Sequence, residues 1–189
     1  MTREATIRRL QALGLENPVN QAGRISLVQA QLPWANLFGV NLEGADLRGA
    51  NLEGANLAGA NLRGADLQEA YLGEAELSGA DLREAKLEGA YLRGALLDQT
   101  TQISHKWRQV WELASRGGAG QDLRRIDLRG ANLRGADLTA ADLRGADLRG
   151  AKLMEADLSL ADLESAIYNA QTWWPYGFDP QEAGALRTE

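Results

Sequence analysis

Leucine recurs every five residues along most of the chain, and this spacing is the strongest pattern in the sequence. The run begins at Leu27 and continues without a gap to Leu97. It resumes at Leu123 and continues to Leu163, with Tyr168 in the final slot. Alanine usually stands two residues before each leucine, asparagine or aspartate one residue before it, and glycine two residues after it. The repeated unit is therefore Ala-(Asn/Asp)-Leu-x-Gly.

A period of five residues fits neither an α-helix nor a plain β-strand. On a helix, leucines five residues apart would precess by about 140° per unit, and a strand has a period of two. Asparagine and aspartate side chains bond to the backbone in turns, and glycine accepts positive φ angles. Each unit therefore indicates a short extended piece followed by a tight turn. If every unit turns the chain by a quarter, four units form one coil with leucine and alanine pointing inward.

These units resemble those of the pentapeptide-repeat family. The resemblance covers fifteen units in residues 25–99 and ten units in residues 121–170. It implies an all-β fold, a right-handed quadrilateral β-solenoid. The regions outside the two repeat blocks have to be interpreted from their own residues.

Residues 1–24 predict an N-terminal helical cap. Thr2 is a suitable N-cap residue, and Ile7, Leu10 and Leu13 share one face of the predicted helix. A solenoid exposes an open edge at each end, so such a helix suits the N-terminal coil as a cover.

Residues 171–189 predict an aromatic C-terminal cap and tail. An aromatic cluster directly after the last repeat favours a plug over the end of the solenoid. The alternative is a dimer or partner surface, because exposed tryptophan and tyrosine are favoured interface anchors. The cluster consists of Trp173, Trp174, Tyr176 and Phe178.

Residues 100–120 interrupt the repeat and predict one inserted amphipathic helix with its loop. The distance from Leu97 to Leu123 is one residue more than a multiple of five, which indicates an insertion rather than degenerate repeats. Apolar residues stand at helical spacing within it. We expect this helix to lie on two neighbouring apolar faces of the solenoid. The helical residues are Ile103, Trp107, Val110, Trp111 and Ala114, and the apolar faces carry Phe38, Tyr71, Tyr91 and Leu96.

Two short motifs are similar to those of cyanobacterial, HetL-like members of the family. They are Lys106-Trp107-Arg108 in the insert and the tail segment from Trp174 to Pro180. Some of these members are regarded as regulators that act through protein contacts. The resemblance therefore implies a regulatory protein that works through its surface.

The sequence contains no recognisable catalytic or metal-binding constellation. It has no cysteine, which excludes disulfides and thiolate metal sites. The single histidine, His105, stands at the start of the inserted helix. We therefore expect no enzyme activity, no cofactor and no bound metal.

Charge and hydropathy indicate a cytoplasmic protein without direct nucleic-acid or membrane binding. The net charge is -6, and there is neither a long apolar stretch nor the apolar core of a signal peptide. We expect a monomer, or a weak homodimer formed through a solenoid end.

Aspartates and arginines in the second block alternate in neighbouring ladders, such as Asp122 with Arg124 and Asp127 with Arg129. This alternation predicts a surface lattice of ion pairs. The alternative is an arginine strip for an acidic partner or phosphate, which the interleaved aspartates disfavour.

The function predicted from the sequence is a non-enzymatic protein–protein interaction or scaffold module. The alternative is a DNA-mimicking inhibitor of topoisomerase (gyrase), since some pentapeptide-repeat proteins resemble duplex DNA. The first block suits this alternative better, with eleven acidic and five basic residues. The candidate interaction surface comprises Trp34, Phe38, Glu43, Glu53, Glu69, Tyr71, Glu74, Tyr91, Trp107 and Trp111.

Overall fold

A computed structural model of the chain describes residues 1–15 and 18–189. The chain forms two compact units, Met1–Trp107 (unit 1) and Arg108–Glu189 (unit 2). Two positions of the predicted N-terminal cap, 16 and 17, lie outside the described residues. Neither helix in the described part has the length and apolar character needed to span a bilayer. The helices are α1 (Arg3–Ala12) and α2 (His105–Arg116), and the strands are β1 (Ile167–Tyr168) and β2 (Leu186–Arg187).

Residues twenty positions apart are hydrogen-bonded neighbours in unit 1. Parallel bridges join Ser26 to Asp46, Asp46 to Asp66 and Asp66 to Lys86, and the other three ladders repeat this spacing. The Leu47 N–H donates to the Asp66 carbonyl at 2.8 Å, and the Asp66 N–H donates to the Ala45 carbonyl at 2.9 Å. One coil therefore contains four five-residue segments, as the sequence predicts. The bridges are single residue pairs because each extended piece is so short.

Each recurring type of residue in the five-residue segment has a definite place in the turn. The Asp46 carboxylate accepts a hydrogen bond from the Arg48 N–H at 3.3 Å. The Ala50 N–H donates to the Leu47 carbonyl at 3.0 Å and closes the turn. Gly49, at the corner, has a φ of 63°, in the left-handed region that glycine occupies without steric cost. The motif therefore encodes the turn as well as the core.

Leucine and alanine form the core of both units. Leu47, Leu62 and Leu143 are fully buried, and so is alanine at most positions two residues before a leucine. Such side chains stack between the coil before and the coil after. Leu97, the last leucine of the first run, is only partly buried, because the chain leaves the regular coil directly after it.

Some corners of the coil hold a larger residue instead of glycine. Trp34, Glu69 and Arg125 have φ angles of 58°, 61° and 57°, so each carries left-handed strain of about 1–2 kcal/mol. Twenty residues after each of them stands a glycine, and a Cβ added there would meet the larger side chain. The larger side chain therefore lies over the glycine of the next coil. The pairs are Gln29 with Gly49, Trp34 with Gly54, Glu69 with Gly89, Glu74 with Gly94, and Arg125 with Gly145.

Helix α1 contacts the first coils of unit 1. The Thr2 hydroxyl accepts from the Ala5 N–H at 3.3 Å, which is the predicted N-cap. Thr6 and Leu10 are buried, and the Thr6 hydroxyl accepts from the Asn41 N–H at 3.0 Å. The predicted apolar face is therefore only partly right, since Leu13 lies beyond the helix and is exposed. A polar residue, Thr6, takes its place because it satisfies a backbone donor of the coil.

Unit 2 repeats the twenty-residue ladder and ends in a return of the chain. Strand β2 pairs in parallel with β1, with Leu186 beside Ile167. Between these strands, Trp174 packs edge-on against Tyr168 at 5.4 Å and stacks on Phe178 at 5.3 Å. The predicted plug therefore consists of Trp174 and Phe178. The other two aromatics of the cluster, Trp173 and Tyr176, remain exposed.

Two six-residue turns of the same design end the regular coils of the two units. In unit 1, Asp98 accepts from the N–H groups of Gly79 and Thr100, and the Thr101 hydroxyl donates to the Leu77 carbonyl at 3.0 Å. In unit 2, Asn169 accepts from the N–H groups of Gly150 and Gln171, and the Thr172 hydroxyl donates to the Leu148 carbonyl at 2.9 Å. The next bridges, Asp81 to Gln102 and Lys152 to Trp173, span twenty-one positions. One extra residue is thus accommodated by side-chain hydrogen bonds that replace backbone ones.

Candidate functional site

One side of unit 1 carries most of its exposed aromatic surface. We call this side, formed by residues 30–34, 50–54, 70–74 and 90–94, the aromatic face. Trp34 is 68% exposed and Tyr71 is 58% exposed. Tyr71 and Tyr91 are adjacent in one ladder, where other coils carry glutamine or asparagine. Two large aromatic side chains are therefore presented on backbone that the coils hold rigid.

Two glycines shape the aromatic face. A Cβ on Gly54 would lie 2.2 Å from the Trp34 ring, and a Cβ on Gly73 would lie 3.2 Å from the Tyr91 ring. Both rings therefore lie flat over the backbone of a neighbouring coil. Tyr71 has no such glycine beneath it and projects further into solvent.

Carboxylates without ion pairs border these rings. Glu53 and Glu74 are exposed and form no ion pair with any residue in the ranges 1–15 and 18–189. By contrast, Asp46 is held by the Arg48 guanidinium through bonds of 2.8 and 2.7 Å, which lower the pKa of that carboxyl. The aromatic face thus combines aromatic rings with two carboxylates that form no ion pair in the described residues, and with one cation, Arg93.

The ten candidate residues predicted from the sequence do not form one surface. Trp34, Glu53, Tyr71, Glu74 and Tyr91 share the aromatic face. Of the others in unit 1, Glu69 lies at the corner before it, Phe38 on the side after it, and Glu43 one side further.

Trp107 and Trp111 were wrongly assigned to the interaction surface. Both belong to α2 and are buried, together with Val110, Leu113 and Ala114. The apolar stripe of an amphipathic helix is the part that packs, so its tryptophans are withdrawn from solvent. Tyr71 and Leu96, on the apolar faces of the coils, are more than half exposed.

Unit 2 presents a lattice of arginine and aspartate, as the alternating ladders predict. Arg124 binds Asp122 through two hydrogen bonds of 2.8 and 2.6 Å, and Arg144 binds Asp142 in the same way. The Arg124 side chain lowers the pKa of Asp122 to about 2, and the Arg144 side chain lowers the pKa of Asp142. Each arginine also reaches the aspartate of the next coil, with 3.6 Å between Arg124 and Asp142. This arrangement neutralises most charges of that side.

No metal site is evident in the part of the chain that the structure describes. No group of three or more histidine or acidic side chains is arranged there to hold a metal ion. His105, the first residue of α2, is exposed. The chemistry available at these surfaces is hydrogen bonding, ion pairing and aromatic contact.

A family model described as pentapeptide repeats matches the chain with eight copies. The matches cover residues 35–72, 60–99, 122–159 and 131–167, together more than half of the sequence. The chain belongs to the pentapeptide-repeat family. Proteins of this family form β-solenoids and are generally structural or interaction modules.

Similar solved structures include other pentapeptide-repeat proteins. The protein alr5209 from Nostoc PCC 7120 is 27% identical, over 96% of this chain and 94% of its own, with a TM-score of 0.35. HetL from the same cyanobacterium, involved in heterocyst differentiation regulation, is 36% identical over 72% of this chain and 54% of its own, with a TM-score of 0.26. QnrB1, a plasmid-mediated fluoroquinolone resistance protein, is 15% identical over 90% and 69%, with a TM-score of 0.31. A comparison with curated protein sequences finds no match. At these TM-scores none of the likenesses assigns a function to the pentapeptide-repeat protein.

Sequence analysis missed the corner residues of this pentapeptide-repeat protein in unit 2. Arg125 and Leu160 occupy the slot that glycine usually holds, and Leu160 is 86% exposed. The available signal was the departure from glycine itself, because a side chain in that slot is both strained and directed away from the core.

Proposed function

We propose that the chain is a non-enzymatic protein-binding module whose aromatic face binds a basic, partly apolar segment of another protein. The exposure of Trp34 and Tyr71 beside Glu53 and Glu74, which have no ion pair in the described residues, is the observation that carries this proposal. The fold on which we place the site is a right-handed quadrilateral β-solenoid with a helical N-terminal cap.

The chemistry of the aromatic face favours a cationic partner. Lysine and arginine bind over the faces of tryptophan and tyrosine, and they pair with carboxylates. Trp34 and Tyr71 supply the rings, and Glu53 and Glu74 supply the charge. A segment that alternates basic and apolar residues would contact both at once.

Backbone conformation supports a role for this face beyond folding. Trp34 and Glu74 sit in left-handed corners with φ angles of 58° and 56°, where glycine would relieve the strain. Because the coil already fixes the backbone, binding would order few groups and would lose little entropy.

The proposal is tested by capture of partners from an extract of the source cell. The binding variant is Trp34→Gly with Tyr71→Asn, which restores the usual residue at both slots and is expected to fold at least as well as the wild type. The matched control is Leu160→Gly, which removes an exposed apolar corner from unit 2. We expect a partner held by the wild type and by the control, lost with the binding variant, and weakened by salt.

Retention of the partner by all three proteins would rule out the aromatic face. Loss of the partner with the control as well would assign binding to general surface hydrophobicity instead.

The alternative, a DNA-mimicking topoisomerase inhibitor, has weaker support. Unit 1 has the required acidic excess, but Arg48 neutralises Asp46, Arg83 neutralises Asp81, and Lys86 lies 3.6 Å from Asp66. A DNA mimic needs a continuous acidic stripe, and these cations interrupt it. Unchanged supercoiling by purified gyrase at micromolar protein would eliminate this alternative.

A further inference from the structure

Arg125 differs from the arginines that form the ion-pair lattice of unit 2. It occupies a corner with a φ of 57°, where most coils have glycine, and it therefore carries backbone strain. Its Cγ would lie 3.3 Å from a Cβ on Gly145, so its side chain crosses the glycine of the next coil. The residue gains no obvious packing from this position, because its side chain is exposed.

The neighbouring arginines are neutralised, whereas Arg125 is not. Arg124 and Arg144 are each bound by two hydrogen bonds to an aspartate in their own five-residue segment. Arg125 forms neither an ion pair nor a side-chain hydrogen bond with any residue in the described ranges 1–15 and 18–189. The lattice thus leaves the guanidinium group of Arg125, with its five N–H donors, unused.

A groove of about 660 Å³ runs along this part of unit 2. Arg125, Gly145 and Ser165 stand at one corner of three successive coils, so the glycine leaves room between the guanidinium and the serine hydroxyl. The Ser165 hydroxyl forms no hydrogen bond within the described part of the chain. The groove is lined by Asp122, Arg124, Arg125, Arg144, Gly145, Glu164 and Ser165.

We propose that this groove binds a phosphoryl group, with Arg125 as the principal ligand. A guanidinium fork matches two phosphate oxygens, and the Ser165 hydroxyl can donate to the third. Arg124 and Arg144 add positive potential at the groove wall, although their own aspartates offset most of it. This inference does not depend on the aromatic face of unit 1.

The groove is also lined by two carboxylates, which are unfavourable for an anion. Glu164 lines it and forms no ion pair in the described residues, so it repels an anion. Asp122 is less repulsive because Arg124 neutralises it at 2.6 Å. Glu164 therefore limits the affinity for phosphate. Removal of its charge should raise this affinity, whereas loss of Arg125 should lower it.

Binding is tested by NMR on the full chain labelled with ¹⁵N-arginine, by following the side-chain Nε–Hε signals. Inorganic phosphate, a phosphoserine peptide and acetate are titrated separately at constant ionic strength. We expect a saturable shift of the Arg125 signal with phosphate and with the phosphopeptide, a smaller response to acetate, and little change at Arg149. Tighter binding of the phosphopeptide would assign the groove to protein-borne phosphate, and equal binding would assign it to the free ion.

Three variants complete the test. With Arg125→Gly we expect the affinity for phosphate, measured from the shifts of the remaining groove arginines, to fall by about tenfold or more. The thermal stability should be unchanged or raised. Glu164→Gln should tighten binding several-fold, whereas the distant corner control Leu160→Gly should leave it unchanged. The proposal is wrong if the wild-type shifts grow linearly with phosphate and alike at all arginines, or if Arg125→Gly binds as tightly as the wild type.

Discussion

In unit 1, the exposed carboxylates of Glu53 and Glu74 stand beside aromatic rings and have no cationic partner in the described residues. In unit 2, the aspartates of one ladder, Asp122 and Asp142, are each bound by an arginine two residues further on, an arrangement that unit 1 has only at Asp46 and Asp81 among the described residues. The inward positions of the two units are nearly identical. The comparison teaches that the surface residues in this fold can vary independently of the core. The inward leucines determine the coil, and the outward side chains contribute little to it.

The largest expected effect tests whether the two cores are equivalent. Leu62→Ala in unit 1 and Leu143→Ala in unit 2 each remove a fully buried side chain, so each should lower the free energy of unfolding by about 2–5 kcal/mol. Chemical denaturation of both variants measures this. A cost near zero in one unit only would show that the two cores are not built alike.

An intermediate effect tests the aromatic face itself. Gly54→Ala should introduce left-handed strain of about 1–2 kcal/mol and should also displace the Trp34 ring, which adds about 1–3 kcal/mol. The matched control is Gly44→Ala, which has a φ of 62° and open space, and should show the strain alone. Thermal or chemical denaturation gives both values.

The double variant Trp34→Gly, Gly54→Ala isolates the contact. When the tryptophan is already replaced by Trp34→Gly, adding Gly54→Ala should destabilise the fold no more than Gly44→Ala destabilises the wild type, because no ring remains to be displaced. In unit 2, Gly145→Ala meets only the flexible Arg125 side chain and should resemble the control. An equal cost for Gly54→Ala and Gly44→Ala would show that Trp34 does not pack on Gly54.

The smallest effect concerns the charge lattice of unit 2. The pKa of Asp122 is lowered from 3.8 to about 2, chiefly by hydrogen bonds from Arg124. A lowered pKa means that the pair stabilises the fold above the unfolded-state pKa, and that this contribution is lost as the pH falls from about 4 to 2. Arg124→Gln should raise the pKa of Asp122 towards its ordinary value, as measured by carboxyl NMR. Arg144→Gln should raise it less, and an unchanged pKa in Arg124→Gln would contradict the pairing.

The coil could be predicted from the sequence because its information is local and repeated. The five-residue period indicates which side chains point inward, and a residue of the aspartate ladder, such as Asp122, is placed by counting twenty positions. The cap also followed from local signals, since Thr2 is the N-cap that its position indicates.

The candidate site was only partly predictable, because departures from the repeat depend on contacts that the period does not encode. Trp107 and Trp111 were included in the candidate interaction surface, although the expected packing of their helix implied that its apolar residues are buried, as both are. Conversely, Arg125 passed unnoticed among similar arginines, because only the hydrogen bonds of its neighbours set it apart. The pairing of β2 with β1 was also missed, because the sequence after the last repeat carries no five-residue period.

The two six-residue turns have a consequence for how this chain can change in evolution. Each coil presents the same backbone donors and acceptors to the next coil. Duplication or deletion of the gene segment that encodes twenty residues therefore preserves the hydrogen bonds and the leucine stacking between the remaining coils. A gain or loss of a single residue inside the array would instead shift every ladder after it. Because the turns at Asp98 and Asn169 absorb one extra residue and end the regular ladder, each marks the C-terminal end of an array that can lengthen or shorten in whole coils.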